Sequence, residues 1–349
     1  MAYTARLKEF ASVVTLVAAG TMVGSASAQE VVKLKVADTV PTTHYTSRHG
    51  TVVFMEKARQ YGGGKLDFEY YPGGQLGKPK DMLALTQAGV ADIGYVVPAY
   101  TPDKLSLSSV AELPGQANDS CEGTKAFYDM TQPGGFLEKE EFKPQGVRVL
   151  FAAMLSPYKM ILAKKQVSRL EDVRGLKLRT TGGAFDLIVR SLGGVSVQMP
   201  GPDLFHALSR GTVDGALYPF ASIKPFDLTD HVRYATTGVS LGNVVLTYAI
   251  GEAAWTRLPS GLREALVKAG REASIALCNF VETNENEERI RLTKDSIKLT
   301  ILSDSERKRW IDALAPVKEQ WAAERDKRGQ PGSKAVAGWS STVAQIRSK

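Results

Sequence analysis

Residues that hold metals or serve as nucleophile partners are scarce in this sequence, with two cysteines and four histidines in 349 positions. His44 and His49 stand five apart with no thiol or carboxylate at ligand spacing, and His206 and His231 stand alone, so no zinc site is expected. A nucleophile elbow, a phosphate-cradling Gly-x-x-x-x-Gly-Lys run and a dinucleotide Gly-x-Gly-x-x-Gly fingerprint are missing as well. Asp92, Asp214 and Asp227 fall at strand or turn ends, where capping is their expected work. An enzyme would therefore lack its machinery, and no cofactor is expected. Strong charge of one sign is also lacking. The formal net charge is +7, and basic residues sit beside acids, as in Glu287-Glu288-Arg289 and Glu306-Arg307-Lys308-Arg309. That pattern suits solvated helix faces rather than a nucleic-acid stripe, so no nucleic-acid partner is expected. No segment is apolar for the roughly 20 residues a membrane span needs.

What is present begins with a leader. Residues 1–28 carry Arg6 and Lys8, a short apolar run over 10–23, and Ala26-Ser27-Ala28 before a polar Gln29-Glu30. This reads as a secretory signal peptide cleaved after Ala28, leaving an exported, soluble chain. In that oxidising setting Cys121 and Cys278 read equally well as one disulfide or as two buried thiols.

From residue 32 onward short β-like runs alternate with helical ones, the pattern of an α/β fold. Strands are predicted over 32–37, 66–71 and 91–97, with helices over 47–61 and 77–89 between them. The helix over 47–61 is expected to bury Val52, Val53, Met55 and Ala58. A helix around 122–130, strands over 147–154 and 159–163, and a second β/α series from 176 to 217 follow. A strand over 244–250 returns to the first series, so the chain crosses more than once and makes a hinge. Lobe I is placed at 29–155 with a return near 244–280, and lobe II at 156–243 with 281–305. C-terminal helices are placed at 306–349, one of them over about 305–328. Residues 260–295 carry no proline and only two glycines, Gly261 and Gly270, with Leu262, Leu266, Ala269, Ala273, Leu277 and Val281 on one stripe. That predicts one helix of about 50 Å, long enough to span both lobes.

The segment Gly175-Leu176-Lys177-Leu178-Arg179-Thr180-Thr181-Gly182-Gly183 ends a short strand on an arginine and opens a helix directly after it. A guanidinium fork matches a carboxylate bidentately, so the place reads as an anion clamp. Strand ends carrying His44-Tyr45, the stretch 95–100, Tyr158-Lys159 and Tyr218-Pro219-Phe220 point into the same space, where ligands of open α/β sheets sit. Tyr95 and Phe226 taken singly read as core.

Four motifs then carry a family resemblance: Tyr71-Pro72-Gly73-Gly74-Gln75-Leu76-Gly77, Gln87-Ala88-Gly89-Val90-Ala91-Asp92-Ile93-Gly94, Leu170-Glu171-Asp172-Val173-Arg174-Gly175-Leu176-Lys177-Leu178-Arg179 and Ala207-Leu208-Ser209-Arg210-Gly211-Thr212-Val213-Asp214-Gly215. The chain resembles the solute receptor of a tripartite ATP-independent periplasmic (TRAP) transporter, of the dicarboxylate-receptor type, over nearly its whole mature length. The resemblance implies a periplasmic location, a two-lobed solute-binding fold with a hinge and a long helix spanning both lobes, a small organic acid as ligand, and the small and large membrane subunits of a TRAP permease as partners. It implies that Arg179 binds the ligand carboxylate and that Lys159 stands where relatives carry a second arginine. Relatives continue Asp-Gly with Gln-Glu-Asn-Pro, whereas here Asp214-Gly215 runs into Ala216-Leu217-Tyr218-Pro219. A tyrosine in place of that amide turns the expectation from a small hydroxylated dicarboxylate to an aromatic or bulky monocarboxylate. The expected ligand-binding set is Arg179, Lys159, Tyr218, His44, Tyr45, Tyr158, Thr181 and Phe220. An exported enzyme or sensor-associated module using the same cleft is the competing class.

Overall fold

The computed structural model describes residues 31–348, so the leader and its cleavage site lie outside the described residues. Among these residues the chain builds two sheets. Strand β1 (Val32–Ala37) alternates exposed Lys33 and Lys35 with buried Leu34 and Val36, which sets one face to the core. It pairs in parallel with β2 (Leu66–Tyr71) and β3 (Ile93–Val96). The next strand, β4 (Val147–Met154), closes the far edge.

The second sheet takes β5 (Lys159–Leu162), β6 (Lys177–Thr180), β7 (Val195–Gln198), β8 (Gly215–Tyr218) and β9 (Tyr234–Thr237). The chain then returns to the first sheet as β10 (Val245–Gly251), antiparallel to both β3 and β4 and buried along its whole length. A last strand, β11 (Lys298–Ile301), joins the edge of the second sheet beside β9. The strand orders are β2-β1-β3-β10-β4 and β11-β9-β5-β8-β6-β7. Strands β9 and β11 are not anticipated by the sequence: Tyr234-Ala235-Thr236-Thr237 shows no alternation, and Lys298-Leu299-Thr300-Ile301 alternates over only four residues directly after the long helix.

The helix expected over 260–295 is present as Ser260–Asp295, 36 residues and roughly 54 Å at 1.5 Å per residue. Its stripe from Leu262 to Val281 is buried in the main core, while Leu292 belongs to a smaller core on the second sheet with Ile161, Ala216 and Phe220. The helix thus packs under both sheets. Gly270 lets it touch β4, since a Cβ there would stand 2.0 Å from the Leu150 carbonyl oxygen. Cys121 and Cys278 are joined as a disulfide, which ties this helix to helix Ser120–Thr131 and decides between the two readings of the cysteines.

Two local expectations need correction. The helix over 47–61 buries Phe54, Met55 and Ala58 and leaves Val52 and Val53 only half-buried; its first turn, Ser47–Thr51, is a π-helical turn, which shifts the face. The single C-terminal helix over 305–328 is two, Asp304–Leu314 and Val317–Asp326, broken where Pro316 supplies no N–H donor. Trp310, Trp321 and Trp339 anchor the C-terminal helices in the main core.

Candidate functional site

Arg179 sits one residue before the end of β6, opposite Val197 of β7 and Ala216 of β8. The chain leaves the strand through Gly182 and Gly183, both in left-handed backbone (φ 102° and 60°). A Cβ on Gly182 would also stand 2.3 Å from the Gln198 amide nitrogen, so only glycine fits this turn. Helix Ala184–Ser191 starts directly after it.

The Arg179 side chain is 1% exposed. Its Nε donates to the Met199 carbonyl at 2.9 Å, and its guanidinium lies 5.2 Å from the centre of the Tyr218 ring. Nη1 has no hydrogen-bond partner. A buried guanidinium with an unpartnered nitrogen is costly unless an anion completes it.

Around it lies a narrow cavity of about 30 Å³. The first sheet contributes Thr39, Val40, Tyr95, Val97 and Tyr100, with His44 from the loop beyond β1; the second contributes Arg179, Gly201, Tyr218, Ser222 and Phe226, with Tyr158 at the crossing. Three contacts close the two sides on each other. The Gly201 N–H donates to Tyr100 Oη at 3.0 Å, His44 Nε2 meets Ser222 Oγ at 3.3 Å, and Ser222 Oγ also reaches Tyr45 Oη at 3.3 Å. Volume of about 30 Å³ holds a water or two, not an organic acid, so this is a closed form that must open to admit one.

Burial sets the charges. His44, wholly buried, has its pKa pushed down to about 3 and stays neutral near pH 7. Burial raises the phenols of Tyr95, Tyr158 and Tyr218, so all three remain protonated. Arg179 is therefore the one charged side chain among the residues lining the cavity.

Of the eight residues expected from the sequence, Arg179, Tyr218, His44 and Tyr158 come together here. Tyr45 stacks on His44 at 4.3 Å but faces an outer groove of about 630 Å³ with Arg48, His49, Lys224 and Phe280. That groove is larger, but its lining mixes both signs of charge, with Asp227 and Glu288 beside Arg48 and Lys224, and Arg179 is not in it. Lys159 does not reach the cavity. Its Nζ donates to the Pro157 carbonyl at 2.6 Å and feels the charge of Glu285 on the long helix, whose carboxylate accepts from the N–H groups of Phe220 and Ala221. Phe220 is buried in the second-sheet core, and Thr181 is buried beside the Gly182 turn; neither lines the cavity.

Tyr95 and Phe226, which read as core, are cavity walls, and Thr39, Tyr100 and Gly201 join them. Tyr100 falls in the stretch 95–100 that the sequence points into this space, whereas Thr39 goes unnamed there; the signal that could have found it is its position just beyond the carboxyl end of β1. One Gly-x-Ser-x-Gly spacing does occur, Gly238-Val239-Ser240-Leu241-Gly242, but it joins β9 to β10. No helix follows it, so Ser240 is not raised on an elbow. Among the described residues no cluster of metal-ligating side chains forms, and no helix is long and apolar enough to cross a membrane.

The family model for bacterial extracellular solute-binding proteins, family 7 (DctP), matches residues 37–325. The C4-dicarboxylate-binding periplasmic protein DctP of Rhodobacter capsulatus is 26% identical over 278 residues, covering 78% of this chain and 81% of that protein. A TRAP solute-binding protein from Rhodoferax ferrireducens, solved in complex with copurified benzoate, superposes with a TM-score of 0.82 at 23% identity, covering 90% of this chain and 98% of the other. A TRAP periplasmic solute-binding protein from Bordetella bronchiseptica with bound (R)- and (S)-mandelate gives 0.81 at 23% identity, covering 90% and 99%.

Proposed function

The chain belongs to the DctP family of bacterial extracellular solute-binding proteins, and from that premise we propose that it is the periplasmic receptor of a TRAP transporter for an aromatic or otherwise bulky monocarboxylate. The observation that carries this reading is the buried, incompletely bonded Arg179 guanidinium as the single charge of a cavity walled by Tyr95, Tyr100, Tyr158, Tyr218 and Phe226. One cation matches one carboxylate; a second carboxylate would be buried here without a partner, at a cost of several kcal/mol. With Lys159 held by Pro157 and Glu285, the arrangement departs from what a dicarboxylate needs. The benzoate and mandelate carried by two structurally similar proteins fit the same chemistry.

The lobes open at the β4–β5 and β9–β10 crossings, the acid enters, and its carboxylate takes the free edge of Arg179 while its body lies against the rings. Contacts made only in the closed form shift the hinge equilibrium toward closure, and the membrane subunits of the permease read that closed surface. The exported chain starts after Ala28 in this account.

Native mass spectrometry of freshly purified protein, followed by calorimetric titration with benzoate, mandelate and succinate, tests it. Binding of the aromatic acids with little or none of succinate is expected. Tighter binding of succinate would overturn the monocarboxylate reading, and conversion of a bound acid to product would overturn the receptor.

A further inference from the structure

We propose that Thr39 is a second ligand-recognition residue, which reads a hydroxyl group on the acid held by Arg179; this deepens the carboxylate-receptor reading and rests on it. Two buried polar side-chain atoms of the cavity lining have no hydrogen-bond partner: Arg179 Nη1 and Thr39 Oγ1. They rise from different sheets, Arg179 from β6 and Thr39 from the segment leaving β1.

Thr39 is 5% exposed and held between two pinned neighbours. The carboxylate of Asp38 accepts from Tyr248, Tyr70 and Thr51 and from the Val40 N–H, and the backbone carbonyls of Asp38 and Val40 accept from Gly74 and Gly73. Such a segment is rigid, and a rigid hydroxyl left without a partner is a recognition group prepared in advance. A threonine hydroxyl both donates and accepts, so it suits a neutral hydroxyl, and it brings no charge with which to hold a second carboxylate. A hydroxylated monocarboxylate would therefore satisfy both orphaned atoms at once and tie the two lobes together. An acid without the hydroxyl displaces water from Thr39 and returns nothing in exchange.

The test is calorimetric titration of wild type, Thr39→Val, Thr39→Ser and Arg179→Ala with benzoate, 3-hydroxybenzoate and mandelate. Wild type should bind at least one of the hydroxylated acids about tenfold more tightly than benzoate, the cost of one buried unmatched hydrogen-bonding group. Thr39→Val should lose that preference while keeping benzoate affinity, and Thr39→Ser should retain it. Thr39→Val is close in shape and removes an unpartnered hydroxyl, so its melting temperature should not fall, which confirms that the variant is folded. A preference unchanged in Thr39→Val would assign the reading to another wall residue such as Tyr95 and overturn the proposal, as would equal binding of all three acids by wild type. Failure of every acid to bind, or full binding by Arg179→Ala, would instead overturn the carboxylate reading beneath it.

Discussion

Among the described residues two arginines are buried, Arg179 and Arg325, and the fold treats them in opposite ways. Arg325, on helix Val317–Asp326, has every nitrogen occupied: Nε donates to the Ser106 carbonyl, Nη1 to the Trp321 carbonyl and Nη2 to Ser109 Oγ. Its guanidinium stacks on Trp321 at 4.1 Å, and the charge of Glu324 acts on it from the same helix. Burial still pulls its pKa down to about 10. Arg179 has one bonded nitrogen, an aromatic ring and no carboxylate within ion-pair reach among the described residues. The first arginine is finished by the fold. The second is left unfinished, and its missing partner has to come from outside the chain.

The two arginines should therefore fail differently. Arg179→Ala should weaken binding of the cognate acid by about 2–5 kcal/mol, roughly thirty- to several-thousand-fold, while the melting temperature of the ligand-free protein holds or rises. A variant that binds within threefold of wild type would break the comparison. Arg325→Met should reverse the pattern in denaturant titration, losing on the order of 3 kcal/mol of stability as the Ser106 carbonyl and Ser109 Oγ lose a donor, with the affinity of the folded fraction unchanged.

The acids around Arg325 sharpen the contrast through pH. Burial raises Glu112 to about 8 and Glu141 to about 7. At these two positions the folded state holds protons that the unfolded state has released, so their contribution to stability is full below about pH 4.5 and falls as pH rises toward 8. Glu112→Gln should flatten that decline, stabilising at pH 8 by on the order of 2–4 kcal/mol at ~1.4 kcal/mol per pH unit and doing little at pH 5. A urea midpoint in wild type that rises between pH 5 and 8 would contradict this. The smallest effect is expected at Lys159, whose replacement by alanine should change ligand affinity by less than about threefold, because its charge is already engaged by Glu285.

The parts legible in the sequence are those whose local pattern and tertiary setting agree. Alternation in β1 and the unbroken stripe from Leu262 to Val281 name their elements, and the structure has both. Strands β9 and β11 escape notice because four residues are too few for a strand pattern to stand out, and pairing with neighbours completes them. The candidate site divides on the same ground. Arg179 stands out as a chemical type at the end of a strand, and four of the eight expected residues line the cavity with it. Lys159 instead bonds the Pro157 carbonyl within the field of Glu285, 126 positions along the chain, which nothing near Lys159 reveals. Phe226 and Tyr95 look like core because a closed cleft and a core are built from the same residues, and only the cavity they wall around Arg179 distinguishes them.

If the ligand supplies what the fold withholds from Arg179, a crystal structure of the protein with its carried-over acid, or with benzoate, will show it. A carboxylate is expected in hydrogen-bond contact with Arg179 Nη1, with the body of the ligand between Tyr158, Tyr218 and Phe226. A carboxylate found in the outer groove on Arg48 or Lys224, with Nη1 still unpartnered, would contradict it.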